Sequence, residues 1–194
     1  MRAASLFDPD LPEGFSYREN VITADEETEL VAHIDRVEFS NFEMRGVVAR
    51  RRVAFFGRSY DQGSAPARPM PDFLFDLRAR AAQWAGVSPD DFAMALINEY
   101  RAGAPIGWHR DAPQYEIIAG VSLLSACRMK LRPYVSPSAQ RAAAGPTPRR
   151  TTHEITLQPR SGYLIAGVAR QQFEHSIPAV ATLRYSITFR TLRR

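Results

Sequence analysis

The stretch Arg184-Tyr-Ser-Ile-Thr-Phe-Arg190 near the C-terminus has the alternation of a β-strand whose two faces differ in chemistry. With a side-chain period of two, Tyr185, Ile187 and Phe189 point to one face, which can pack in a core. The opposite face carries two arginines and two hydroxyls and no acid, namely Arg184, Ser186, Thr188 and Arg190. Because each guanidinium can hold one carboxylate through paired hydrogen bonds, this face suits a dicarboxylate ligand.

Short strand-like runs separated by Pro, Gly and Ser fill the chain after about residue 90. The predicted strands are residues 93–100, 117–124, 126–132, 153–158, 163–167 and 183–191, with a loop at 135–150. Upstream, the pattern predicts helices at 24–37 and 72–85 and a hairpin at 41–60, with Asp72 capping the second helix and Gly86 ending it. Helices followed by many strands predict an α+β fold in which the strands close into a sandwich or barrel.

Length and composition are those of one globular domain, with 194 residues of which 45% are hydrophobic and 24% charged. The apolar runs are too short to cross a bilayer, and acidic residues stand where a signal peptide needs an apolar stretch. We therefore expect a cytoplasmic protein with no membrane partner. The one cysteine, Cys127, excludes an internal disulfide. Nothing in the sequence indicates an obligate assembly, so a monomer is expected.

Charge is unevenly distributed along the chain. The first 44 residues hold eleven acids and three arginines, whereas the stretch from Lys130 onward holds eleven basic residues and two acids. Arginine suits phosphate contacts because its fork donates hydrogen bonds in pairs. Two interpretations stay open, a footprint for nucleic acid and a solvated face in a chain that prefers arginine to lysine.

Three residues can together hold a metal ion. In extended backbone, residues two apart point to the same side, so His109 and Asp111 can converge on one ion. His175 lies in a second strand-like stretch, QQFEHSIP. Two histidines and one carboxylate leave three positions of an octahedral metal open, as in non-haem Fe(II) oxygenases. Asn98 and Tyr100, two apart on another strand, add an amide and a phenol upstream of this motif.

Over roughly residues 95–192 the chain resembles the AlkB-type dioxygenases. The matching elements, in order, are Asn98-x-Tyr100-x-x-Gly103, His109-x-Asp111, His175 and Arg184-x-Ser186-x-Thr188-Phe189-Arg190. The last element is the most specific, and Ser186 stands there in place of the usual asparagine. The resemblance implies a double-stranded β-helix (jelly roll) with N-terminal helices packed against it. It also implies a single dioxygenase domain over residues 1–194, with helices and a substrate lid in about 1–90 and the catalytic core in about 91–194.

The same resemblance implies Fe(II) held by His109, Asp111 and His175, with 2-oxoglutarate and dioxygen as cosubstrates. The distal carboxylate of 2-oxoglutarate would reach Arg184, and Arg190 would serve the carboxylate next to the metal. The whole cosubstrate site would comprise Asn98, Tyr100, Arg184, Ser186, Thr188 and Arg190.

The implied reaction is oxidative demethylation of alkylated DNA or RNA bases, with the base flipped out beneath the N-terminal lid. The side chains expected on the substrate side are Arg51, Phe55, Phe56, Tyr60, Trp108 and Arg170. Each phenylalanine could equally be a core residue, and Trp108 could simply pack. Arg170 could lie on the substrate side, support the metal ligands from behind, or be a surface residue. Base-repairing members of the family often carry an acid two residues after the metal aspartate. Pro113 stands there, so either base recognition differs or the substrate is another one.

Two other functions stay open at the level of sequence. A 2-oxoglutarate-dependent protein hydroxylase or demethylase would use the same cofactors on protein side chains. A non-catalytic jelly roll that binds nucleic acid would keep only the scaffold. The complete triad and both arginines argue against the non-catalytic alternative, and the basic clusters and aromatic residues favour nucleic acid over protein.

Overall fold

A computed structural model describes residues 11–44, 46–58, 68–136, 138–139 and 151–193. Its strands are β1 (Phe15–Arg18), β2 (Ser40–Met44), β3 (Val47–Gly57), β4 (Met94–Tyr100), β5 (Ile106–His109), β6 (Tyr115–Leu123), β7 (Cys127–Pro133), β8 (His153–Leu157), β9 (Gly162–Ile165), β10 (Phe173–Ile177) and β11 (Arg184–Leu192). Its α-helices are α1 (Ala24–Ile34), α2 (Phe75–Ala85) and α3 (Gly167–Gln172), with 3₁₀ turns at Asp72–Leu74 and Pro89–Asp91. Tyr60 and most of the loop predicted at 135–150 lie outside the described residues.

The strands form two antiparallel sheets, one of seven strands in the order β1-β9-β6-β11-β4-β3-β2 and one of four in the order β5-β10-β7-β8. Buried residues of both sheets pack in one cluster, in which Tyr100 and Ile118 of the large sheet meet Met129 and Leu131 of the small one. This arrangement confirms the predicted α+β fold with a jelly-roll core. Alternate residues of β7 are buried, as the sequence pattern predicted.

The central strand of the large sheet is β11, which pairs with β4 on one side and β6 on the other. Its apolar residues Tyr185, Ile187 and Phe189 are buried in the cluster that includes helix residues Leu30 and Leu77. The polar face predicted for this strand is therefore turned the other way, toward the space between the two sheets. The face that looked suited to solvent or ligand lies inside the protein.

The helices begin and end for identifiable reasons. Thr23 and Glu26 form a reciprocal capping box at the start of α1. Helix α2 ends at Gly86, which has a left-handed φ of 70°. The prediction that Asp72 caps this helix is wrong, because Asp72 opens a 3₁₀ turn and the helix itself starts at Phe75. None of the described helices is long and apolar enough to cross a membrane.

The N-terminal part supplies strands as well as helices. Strand β1 pairs with β9, and the β2–β3 hairpin extends the large sheet beyond β4. Three of the seven strands of that sheet thus come from the first 57 residues. The division predicted at about residue 90 does not coincide with an edge of the sheet, since β3 and β4 are direct neighbours across it.

Gly120 of β6 makes room for a buried tyrosine on the adjacent strand. A Cβ at this position would lie 2.2 Å from Cζ of Tyr163 and 2.5 Å from its hydroxyl oxygen. The ring of Tyr163 is also stacked on Phe15, with centroids 6.1 Å apart. The glycine therefore fixes where this ring lies between the sheets.

We expect Gly120→Ala to lower the free energy of unfolding by roughly 1–3 kcal/mol, because the methyl group must displace a buried ring. The matched control is Gly107→Ala, also in a strand, where no atom lies within 4 Å of the added Cβ. That control should stay within about 0.5 kcal/mol of the wild type. Urea unfolding followed by circular dichroism measures both values, and equal losses would contradict the packing interpretation.

Candidate active site

Two neighbouring strands of the small sheet bring the two predicted histidine ligands together. Strands β5 and β10 are antiparallel, and their register places His109 opposite His175. The two ring centroids lie 4.3 Å apart. Asp111 follows β5 by two residues, and its Oδ2 atom lies 3.6 Å from Nε2 of His175. Ligand atoms of all three residues lie within 4.8 Å of one another, so this group can hold a single metal ion.

Both histidines are in the form that binds metals. Nδ1 of His109 lies 2.9 Å from the carbonyl oxygen of Gly107, which assigns the proton to Nδ1 and leaves the Nε2 lone pair available. Burial lowers the pKa of His109 below its ordinary value. Burial, together with the neighbouring His109, lowers the pKa of His175 to about 3. The rings are therefore neutral at ordinary pH, as ligation requires.

Asp111 is held by an arginine from the opposite sheet. Nε and Nη2 of Arg190 donate to Oδ1 of Asp111 at 3.1 Å and 2.7 Å. Burial alone raises the pKa of Asp111, but the charge of Arg190, with smaller effects of His175 and His109, outweighs it and holds the pKa below its ordinary value. The carboxylate is thus ionised, and its Oδ2 atom remains turned toward His175.

Arg190 belongs to a hydrogen-bonded chain at the centre of the large sheet. It pairs with Asp111, and the contact with the metal-proximal carboxylate of 2-oxoglutarate stays a prediction. Its Nη1 atom also donates to the hydroxyl of Thr188 at 3.0 Å, and Thr188 in turn donates to the carbonyl of Leu96 at 3.2 Å. Arg190 and Thr188 therefore position the aspartate. Ser186 lies on the same strand face and is buried.

Arg184 is the one fully buried arginine among the described residues. Its Nε atom donates to Oγ of Ser122 at 3.0 Å, and its guanidinium carbon lies 5.1 Å from the ring centroid of Tyr100. Nη1 and Nη2 are buried and form no hydrogen bond to any residue that the structure describes. A buried cation without a counter-charge is costly, so these two donors mark a site for an anion. Two parallel N–H groups match a carboxylate.

A cavity of about 480 Å³ opens beside the triad. One part of its lining is polar and includes the triad, namely His109, Asp111, His175, Asn98 and Tyr100. Another part is mostly apolar and aromatic, with Phe42, Val53, Phe55, Leu96 and Tyr115. This volume is within the usual range for small-molecule sites, and it joins the metal-binding group to a wall that suits a flat ring.

The predicted substrate residues separate into two sets. Arg51 and Phe55 line the cavity. Phe56 instead lies in the core beneath the helices, because successive residues of a strand point to opposite faces. Trp108, the neighbour of His109, lies outside the cavity lining and packs under the guanidinium of Arg132, 4.0 Å from its ring centroid.

Arg170 lies behind the metal-binding loop. Its Nη2 atom donates to the carbonyl oxygens of Asp111 and Ala112 at 3.1 Å and 2.6 Å. The residue is buried and does not belong to the cavity lining. Arg170 therefore holds the backbone that carries Asp111, which agrees with a support of the metal ligands, one of the positions that the sequence left open.

Several residues of the site, among them Ser122, Phe42 and Gln114, were not predicted from the sequence. Ser122 supports Arg184, and Phe42 and Gln114 line the cavity. Ser122 is opposite Ser186 in the pairing of β6 with β11, and this register has no local signal in the sequence. Phe42 lines the cavity because the β2–β3 hairpin lies beside β4, and this placement has no local signal in the sequence either.

The family model of the 2OG-Fe(II) oxygenase superfamily matches residues 14–190, and the chain belongs to this superfamily. It is therefore an oxidoreductase, a dioxygenase that uses Fe(II) and 2-oxoglutarate, and the non-catalytic alternative is not supported. The donor set of the triad and the two unpaired donors of Arg184 fit these two groups.

Solved structures agree in fold. OsALKBH1 is similar with a TM-score of 0.69 at 12% identity, covering 93% of this chain and 99% of that one. A prolyl-4-hydroxylase from Pseudomonas putida has a TM-score of 0.62 at 14% identity, with 93% of each chain covered. A 2OG-Fe(II) oxygenase family oxidoreductase from Burkholderia pseudomallei has a TM-score of 0.62 at 17% identity, covering 93% and 86%. The predicted family of Fe(II)- and 2-oxoglutarate-dependent oxygenases is confirmed, and the likeness of fold to OsALKBH1 agrees with the predicted AlkB type, while the substrate is left open.

We expect Arg184→Gln to weaken 2-oxoglutarate binding by about 30-fold or more, because a buried carboxylate would lose its charged partner. Calorimetry with Mn(II)-loaded protein measures the dissociation constant, and circular dichroism confirms folding. Arg128→Ala, which removes a side chain that is 59% exposed, is the control and should bind normally. An unchanged constant in Arg184→Gln would contradict the anion-site interpretation.

Arg170→Met should weaken metal binding by about 10- to 100-fold, since the loop that carries Asp111 loses two hydrogen bonds. Titration with Mn(II) measures this effect directly. Arg160→Met removes an arginine that is bonded to Glu27 instead, so its metal affinity should match the wild type. If both variants bind Mn(II) like the wild type, Arg170 does not position the aspartate.

Proposed function

We propose that the protein demethylates alkylated bases of DNA or RNA, with His109, Asp111 and His175 as the iron ligands. The observation that carries this proposal is the single cavity that joins the triad to an aromatic wall. A base that is flipped out of its strand needs such a slot, with a ring to stack on and the reactive centre at its end.

We assign the cosubstrate site to the polar part of the cavity lining and to Arg184, which lies beside the ring of Tyr100. Arg184 would bind the distal carboxylate of 2-oxoglutarate through its two unpaired donors. Tyr100 lies between Arg184 and the cavity, and burial raises the pKa of its phenol although Arg184 opposes the shift. The phenol therefore stays protonated and can donate to a carboxylate oxygen. Asn98 presents its amide on the same strand face.

When bound, Fe(II) with 2-oxoglutarate and dioxygen supplies the hydroxylation of a substrate C–H bond, and succinate and carbon dioxide leave. The chain orients these reactants. His109 and His175 hold fixed positions on paired strands, and Arg190 keeps Asp111 ionised with one oxygen turned inward. An N-methyl group hydroxylated in this cavity becomes N–CH₂OH. Its C–N bond then breaks, formaldehyde leaves, and the ring nitrogen keeps a proton.

Nucleic acid is favoured by the side chains around the cavity. Phe42 and Phe55 offer ring faces for stacking, and Arg51 lies over Phe42 with its guanidinium carbon 4.3 Å from the ring centroid. Arg50 and Arg110 are exposed on elements that border the cavity and can contact phosphates.

A second candidate is a hydroxylase of protein side chains. The observation in its favour is the likeness of fold to the prolyl-4-hydroxylase from Pseudomonas putida. Such an enzyme would use the same triad and cosubstrate, and only the substrate would differ.

The test is an assay with Fe(II), 2-oxoglutarate and a panel of N-methylated oligonucleotides, following base mass and succinate. We expect demethylation of at least one base, and a loss of at least about 100-fold in His109→Ala, which removes a metal ligand. His33→Ala changes a helix histidine remote from the cavity and is the control. Succinate formed only with protein extract would favour the hydroxylase and contradict the nucleic-acid proposal.

A further inference from the structure

The cavity lining includes an arginine without an ion-pair partner among the described residues. Arg51 lines the cavity and is half-buried, and its Nε atom donates to Oδ1 of Asn98 at 3.2 Å. Its neighbour Arg52, in contrast, pairs with Glu99 on the other strand face. Asp111, already paired with Arg190, is the single acid among the described residues that line the cavity. Among these residues a cationic ligand therefore finds no free counter-charge.

Gln114 adds an unsatisfied amide to the same cavity. It lines the cavity, and both its Nε2 and Oε1 atoms are buried without a hydrogen-bond partner among the described residues. The backbone around it is fixed, since its carbonyl accepts from the amide of Arg193 at 2.8 Å and Tyr115 N donates to Ala112 at 3.1 Å. Each buried group left unpaired costs about 1–3 kcal/mol, so a ligand with a polar edge gains from pairing with this amide.

We infer that the cavity selects neutral N-methylated bases with a carbonyl group beside the methylated nitrogen, and disfavours cationic N-methylated bases. This inference rests on the proposed function and names the substrate class for it. Arg51 and Nε2 of Gln114 are N–H donors, to which a ring carbonyl can bind. Oε1 of Gln114 can also accept from an amino group, so the discrimination rests on the charge of Arg51. A cationic base would bring a second positive charge beside this guanidinium, with no unpaired acid among the described lining residues to offset it.

Two matched pairs of bases separate charge from shape. In 3-methyluracil and 3-methylcytosine the methyl group is on the same ring nitrogen, but the first base is neutral and the second cationic. In 1-methylguanine and 1-methyladenine the methyl group is likewise on the same ring nitrogen, and again the first base is neutral and the second cationic. Each base is placed in one single-stranded oligonucleotide sequence, and kcat/KM for demethylation is measured at pH 7. We expect the neutral member to be preferred by about tenfold or more, the effect of one like charge at close range.

Three variants test how Arg51 and Gln114 affect the preference within each pair of bases. Arg51→Glu should reverse the order of each pair, and the nearly isosteric Gln114→Glu should shift it toward the cationic base by about tenfold. Arg50→Glu makes the same charge change one residue away, on the opposite strand face, and should keep the wild-type ratio. The ratio within a pair is compared, so a general loss of oligonucleotide affinity does not affect the result.

The outcomes of these assays distinguish the inference about base charge from the proposed demethylase function. Preference of the wild type for cationic bases, or an equal shift of the ratio in Arg50→Glu and Arg51→Glu, overturns the inference and leaves the demethylase proposal standing. Absence of demethylation for all four bases, with 2-oxoglutarate consumed in the presence of protein extract, overturns the proposed function and the inference with it.

Discussion

The ion pair between Asp111 and Arg190 is the contact on which the site depends, because it joins the two sheets at the metal-binding group. Asp111 follows the edge strand of the small sheet, and Arg190 belongs to the central strand of the large one. A buried carboxylate without a partner would become neutral or destabilise the fold. Arg190 prevents both, and since its two donors reach the same oxygen, the other oxygen stays directed at His175. The ion pair therefore links the two sheets and at the same time positions Asp111 as a metal ligand.

The central strand β11 carries two buried arginines, of which one is paired with an acid and the other is not. Arg190 is paired with a carboxylate, whereas the terminal nitrogens of Arg184 have no partner among the described residues and only Nε is bonded, to Ser122. Packing alone would favour an apolar residue at position 184, given how costly an uncompensated buried charge is. Because folding does not explain this arginine, we attribute it to the binding of an anion. The departure from a purely apolar interior supports the proposed cosubstrate site more directly than the shape of the cavity does.

Features that follow the side-chain alternation of a single strand could be predicted from the sequence. Contacts between residues of different elements could not. The alternation in β11 predicted both of its faces, and the spacing of His109 and Asp111 predicted that they meet. The same period of two, applied further, would have separated Phe55 from Phe56, since adjacent residues of a regular strand point to opposite faces. The sequence left the position of Arg170 open, because its role depends on α3 packing behind the metal-binding loop, a contact between residues about 60 apart. Gln114 has no motif at all, and only its burial without a partner reveals it.

The described residues that line the proposed substrate cavity stand mostly on paired strands. Strands β3, β4 and β11 are consecutive neighbours, and Asn98 stands in register between Val53 on one side and Ser186 on the other. Arg51 donates directly to Asn98, so two neighbouring strands of the cavity wall share a side-chain hydrogen bond. Groups held by paired strands keep their geometry better than groups on loops. In the proposed function, a substrate that draws Arg51 toward itself would also act on Asn98, and this contact would couple substrate binding to cosubstrate binding.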